Sequence, residues 1–173
     1  MALTRINNQA LTNVTSAGLP SGSVLQVKSS TQDTWQALTT SFADVNGLSV
    51  SITPRDTNSK ILIMVCLQNI GQDNANISGF KLLRGSTVVV KNENGGWADT
   101  NDSFYSGGGQ QFTSANRQTD SPTLTYLDSP SSSSALTYKV QAKESGGAGY
   151  INRWALNTDK GGVSSITVME IAG

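Results

Sequence analysis

Apolar and polar residues alternate along most of the chain. Leu48, Val50 and Ile52 alternate with Ser49, Ser51 and Thr53. Leu136, Tyr138, Val140 and Ala142 alternate with Thr137, Lys139, Gln141 and Lys143. A period of two marks a strand with one buried and one wet face. Read this way, strands are predicted at residues 24–28, 35–38, 48–53, 60–68, 77–83, 87–92, 124–127, 135–143, 150–156 and 164–171. Asn46-Gly47 reads as a turn that opens the 48–53 strand, and Pro54 closes it. Gly85-Ser86 reads as a two-residue hairpin of type II′. Two stretches interrupt the series: residues 92–120, with Gly95-Gly96 and Gly107-Gly108-Gly109, and Ser129-Pro130 followed by four serines. Many short strands joined by Gly, Asn, Ser and Pro turns predict an all-β, antiparallel β-sandwich with a jelly-roll-like head.

Two segments depart from clean alternation. In 60–68, Ile61, Ile63, Val65 and Leu67 point one way and Leu62, Met64 and Cys66 the other, so both faces are apolar. In 164–171, Ile166, Val168, Met169 and Ile171 likewise put apolar groups on both faces. A strand in a two-sheet sandwich needs one apolar face, because the other meets water. The second face predicts a subunit interface at Leu62, Met64, Cys66 and Met169. The alternative is a strand covered by the chain's own 92–120 loop.

The first 22 residues read differently. Leu3, Ile6, Ala10, Leu11 and Val14 are apolar pegs ahead of the helix-breaking Gly18-Leu19-Pro20-Ser21-Gly22. The expectation is an extended N-terminal arm, residues 1–22, that docks on a partner through Leu3, Ile6, Leu11 and Val14. The β-sandwich head then spans residues 23–173.

Composition narrows the chemistry. The chain of 173 residues is large enough for one domain with a core. Its 12 basic and 12 acidic residues cancel, which gives no electrostatic case for nucleic acid. Its 23 serines, 18 threonines and 14 asparagines describe a surface of hydroxyls and amides rather than charges. There is no histidine, which removes the commonest general base and metal ligand. Cys66 is the only cysteine and reads as a small buried hydrophobe. No segment has the ~18 apolar residues of a membrane helix. No apolar stretch follows Arg5, so no secretory signal is expected.

No motif supplies a catalytic centre, a metal site or a cofactor site. Gly107-Gly108-Gly109 lacks the Lys-Ser/Thr and helix of a phosphate loop. Asp99-Thr100-Asn101-Asp102 lacks the spacing of a calcium loop. Ser131–Ser134 lack a framing glycine and an activating base. Trp97, Phe104, Tyr105 and Trp154 are candidate surface-binding aromatics, since aromatics in polar loops stack on sugars or anchor partners. Their competing reading, the one ranked first, is that they pin the long loop, including Phe112, onto the sandwich.

Several short motifs resemble structural proteins of tailed bacteriophages, marine and cyanobacterial ones especially. They are Met1-Ala-Leu-Thr-Arg-Ile-Asn-Asn8, the 20–27 and 40–54 segments, Phe80-Lys-Leu-Leu-Arg-Gly85, Tyr126-Leu-Asp-Ser-Pro130, Thr137-Tyr-Lys-Val140, Tyr150-Ile-Asn-Arg153 and 165–171. The resemblance runs through nearly the whole chain and implies a tail fibre, collar fibre or other virion protein. It implies a compact β-sandwich similar to the trimeric heads of tumour-necrosis-factor and complement type. The repeat-rich shaft of long fibres is missing, which points to a short appendage. The expected function is therefore a non-enzymatic, homotrimeric virion component, made in the host cytoplasm. Its arm would attach to portal, collar, tail or capsid proteins, and its head would face the host surface and its glycans. The alternative is a capsid decoration (cement) protein, and a lectin-like binding module ranks below it. A glycan-degrading spike is disfavoured, because the acids are spread thinly and no carboxylate pair stands out.

Overall fold

The computed structural model describes residues 18–73, 77–91, 103–108, 117–146, 148–154 and 157–173. The arm residues Leu3, Ile6, Leu11 and Val14, the aromatics Trp97 and Phe112, and the 99–102 turn lie outside them.

The described residues form strands throughout. In chain order they are β1 (Val24–Gln32), β2 (Gln36–Ala37), β3 (Ala43–Ile52), β4 (Lys60–Cys66), β5 (Ile70–Asp73), β6 (Ile77–Arg84), β7 (Thr87–Val88), β8 (Tyr105–Gly108), β9 (Arg117–Asp120), β10 (Thr123–Asp128), β11 (Leu136–Glu144), β12 (Ala148–Ile151), β13 (Arg153–Trp154), β14 (Asn157–Gly161) and β15 (Ser164–Ile171). The first sheet has the order β1-β15-β4-β10. The second has the order β3-β11-β6-β7, with β8 also on β6. Every pairing is antiparallel. The protein is an all-β sandwich.

Alternation explains why the two sheets stack. Ile61, Ile63 and Val65 of β4 and Ile166 and Val168 of β15 are fully buried and face the second sheet. There they meet Leu48 and Ile52 of β3, Leu82 of β6, and Tyr138 and Val140 of β11, in one continuous core. Burying each such side chain contributes about 1.5–3 kcal/mol, which offsets the entropy of ordering the chain.

A third, smaller sheet has the order β2-β12-β5-β9. Its strands continue those of the sandwich: β5 follows β4, β9 precedes β10 and β12 follows β11. The expected 60–68 strand is β4, which ends at Cys66, and the chain then turns at Asn69 (φ 47°) into β5. Asn152 (φ 59°) makes the matching corner between β12 and β13. Asparagine tolerates this left-handed backbone better than most residues. The corners are clamped together, with Asn152 N donating to Gln68 O at 3.0 Å and Arg153 N to Asn69 O at 3.1 Å.

The Gly85-Ser86 turn joins β6 to β7 as expected, with Gly85 at φ 60°. Asn46-Gly47 does not open a strand. It lies inside β3, at a bulge where the five steps from Asp44 to Ser49 match two steps of β11. Gly47 has φ 71°, and a Cβ there would sit 2.9 Å from Thr31 O. The dipeptide serves the close crossing of β1 rather than a turn.

Candidate assembly face

The outer face of the first sheet is built by register. Met169 of β15 lies opposite Leu62 of β4 and Val27 of β1, and Leu62 lies opposite Leu127 of β10. These four residues form an aliphatic row across the whole sheet. The adjoining row carries Met64 between Thr125 and Thr167, and the next carries Cys66 between Thr123 and Ser165. Ile171, opposite Val24 and Lys60, extends the apolar strip on the other side. Val27 is 54% exposed, Leu127 48% and Met64 43%, whereas their strand neighbours Ile63 and Val168 are fully buried. Among these outward positions Lys60 alone is charged.

The expected interface residues Leu62, Met64, Cys66 and Met169 therefore share one side of one sheet. Cys66 is half-buried there rather than in the core. The described parts of 92–120 do not cover this side: β8 pairs with β6 and β9 with β5. Val27 and Leu127 complete the strip and were not singled out from the sequence; Ile171, noted there for its apolarity, joins it as well. Their alternation was visible, but their adjacency to Leu62 and Met169 depends on strand order.

The outer face of the second sheet is of a different kind. Lys139 Nζ and Gln141 Nε2 donate to the Asp44 carboxylate at 2.9 and 2.8 Å. These hydrogen bonds hold the Asp44 pKa below its ordinary value. Ser51 and Thr137 hydroxyls bond each other at 2.8 Å, and Lys81 lies 4.2 Å above the Phe42 ring. This is a solvated wall with its polar groups mutually satisfied.

The expected loop aromatics divide. Phe104 and Tyr105 are partly buried against the core residue Phe80, with ring centroids 6.5 and 6.2 Å away. Tyr105 also donates its hydroxyl to Asp120 at 2.5 Å. They pin the segment to the sandwich and offer no free stacking face. Trp154 is half-buried in the β13–β14 hairpin.

Buried carboxylates act as struts. Glu170 is fully buried and accepts hydrogen bonds from Gln26 Nε2 (2.6 Å), Ser59 Oγ (2.7 Å) and Arg55 N (2.7 Å). Burial pushes its pKa up, but these donors and the Arg55 charge outweigh burial and hold it below the ordinary value. The resulting stability is complete above the unfolded-state pKa of about 4.3 and is lost as pH falls from there through the lower folded-state pKa. Glu170→Gln should cost about 2 kcal/mol at neutral pH, since an amide presents a donor where only acceptors fit. It should also flatten the acid limb of the stability curve. Urea unfolding at pH 7 and pH 4 checks both. Among the described residues no acid or thiol cluster could hold a metal ion.

Where the described part of the arm meets the head there is a small open cleft of about 140 Å³, lined by Leu19, Leu25, Asp56, Asn58, Ser59 and the terminal Ala172-Gly173. Gly22 N donates to Ala172 O, and Ala172 N to Ser23 O, both at 2.8 Å. No protein-family model matches the chain, and no curated protein matches it.

Proposed function

We propose that this chain is a non-enzymatic structural protein of a tailed-phage particle, a jelly-roll head that trimerises through the outer face of its first sheet. The carrying observation is the nearly charge-free aliphatic strip of Val27, Leu62, Leu127 and Met169 with Met64 beside it. Depletion of charge around aliphatic and Met side chains is the anatomy of an interface core, not of a solvated sheet. Two further observations support the reading. Counting the four strands on the main path of each sandwich sheet, the two-residue β7 included and β8 left out, the sheets have orders 1-8-3-6 and 2-7-4-5, the connectivity of two Greek keys. The sequence motifs that resemble phage structural proteins run through both sheets.

Three copies are what the resemblance to trimeric heads implies, and a closed ring would give each copy two neighbours.

The test is the mass in solution. Sedimentation velocity should give three copies at micromolar concentration for the wild type and a monomer for Met64→Glu, because a charge enclosed at the contact costs several kcal/mol. Met64 points outward, so the variant should keep its urea midpoint when measured as a monomer. A wild type that stays monomeric at tens of micromolar would overturn the reading.

A further inference from the structure

We infer that Trp35, Tyr150 and Arg153 form a binding site for a carboxylate-bearing sugar. Trp35 is 47% exposed on the connection from β1 to β2. The Arg153 guanidinium carbon lies 4.7 Å from the Trp35 ring centroid and 4.1 Å from that of Tyr150. The two rings meet edge to face, at 76° with centroids 6.0 Å apart. Arg153 thus sits in the corner between two aromatic faces, which holds it in place and leaves its terminal N–H groups as the binding element.

Among the described residues no carboxylate pairs with Arg153, whereas Arg84 pairs with Asp128 and Lys139 with Asp44. Arg153 Nε is buried with no hydrogen-bond partner, and so is Oε1 of the nearby Gln32, a residue only 4% exposed.

The corner is also pre-organised. Asn152 is buried, and its Nδ2 donates to Gln32 O at 2.8 Å and Thr34 O at 3.1 Å, while its Oδ1 accepts from Ser164 Oγ at 2.6 Å. One side chain therefore ties the segment before Trp35 to the residue before Arg153. Pairing of Tyr150 with Ala37 closes the third side. A ligand meets groups whose ordering cost was met on folding.

The chemistry selects the ligand class. A half-exposed indole takes the C–H face of a pyranose, and a guanidinium edge takes a carboxylate in two parallel hydrogen bonds. The guanidinium covers one face of the indole, so an oligomer of uronic acids fits best, with one residue on the free face and the carboxylate of a neighbouring residue at the guanidinium. A neutral sugar would leave the guanidinium unused, and a nucleic acid would need several phosphate contacts from a chain with no net charge. The site is carried by the third sheet and the β13 corner, so it is independent of the trimer reading.

The test is an NMR titration of the full chain with trigalacturonate, with maltotriose as the neutral control. Trigalacturonate should shift the Trp35 indole N–H and the Tyr150 and Arg153 amides saturably in the millimolar range, and maltotriose should not. Arg153→Lys keeps the charge but loses the fork, and should weaken binding about fivefold or more. Trp35→Ala, at a half-exposed position, should leave the amide spectrum folded and remove the binding. No shift in this corner, equal binding of maltotriose, or unchanged affinity in Arg153→Lys would each overturn the assignment.

Discussion

Phe80→Ala should destabilise the head by about 4 kcal/mol, the upper range for emptying a buried aromatic site. Phe80 is fully buried on β6 and is the ring on which Phe104 and Tyr105 rest. Its backbone is also committed: Phe80 O accepts from Phe104 N at 2.8 Å, and Phe80 lies opposite Tyr105 in the β6–β8 pair. Loss of the ring opens a cavity between the sheets and removes the support under residues 103–108. The urea midpoint should fall while the slope stays unchanged, and amide exchange in 103–108 should accelerate more than in β4. A loss under ~2 kcal/mol would mean that the neighbouring rings collapse into the space, which their second contacts should prevent.

Asp128→Ala should cost about 3 kcal/mol, because it strips two partners at once. Asp128 Oδ2 accepts from Arg84 Nη1 at 2.5 Å and from the Tyr138 hydroxyl at 2.6 Å. Asp128 belongs to β10 of the first sheet, and both donors belong to the second, so the carboxylate latches one edge of the sandwich. Burial and the bond to Asp128 push the Tyr138 phenol pKa up, so it remains a donor across the ordinary pH range. Without Asp128, a fully buried phenol and a half-buried guanidinium lose their acceptor. Tyr138→Phe alone should cost about 1 kcal/mol. In the double variant the costs should not add, since removing both partners leaves no orphaned phenol. Strict additivity in chemical unfolding would show that the two groups do not share the hydrogen bond.

The long strands were legible because each keeps one face in the core over many residues. The alternation of Leu136, Tyr138, Val140 and Ala142 survives intact in β11, and the doubly apolar segments became the two central strands of the first sheet. Half of the third sheet was hidden, since β2 and β12 overlap the predicted 35–38 and 150–156 strands but β5 and β9 were not foreseen. Ile70–Asp73 and Arg117–Asp120 are short and carry no alternation, so only their distant partners make them strands. Asn46-Gly47 misled because turn chemistry and bulge chemistry use the same residues, and the deciding contact, Thr31 O, is remote in sequence. Leu62, Met64 and Met169 could be picked out from excess apolarity alone. The Trp35–Arg153 corner could not, because it exists only through Asn152, whose partner Thr34 is 118 residues away.

The β1-β15-β4-β10 order has a consequence for how the chain is made. β15, the last strand in the chain order of the described residues, is an inner strand of the first sheet, flanked by β1 and β4. Until it emerges, β1 lacks its in-sheet partner, and the aliphatic row is split between separate fragments. The second sheet, built from β3, β6, β7, β8 and β11, is already complete by then. Synthesis therefore runs ahead of closure, as expected where pairing joins the two ends of a sequence. A polypeptide halted before Ser164 keeps Leu62 and Leu127 on paired strands but lacks Met169 and leaves Val27 apart from them. If the proposed trimer forms through this row, copies lacking β15 would be poor partners, and completion of that strand would gate assembly.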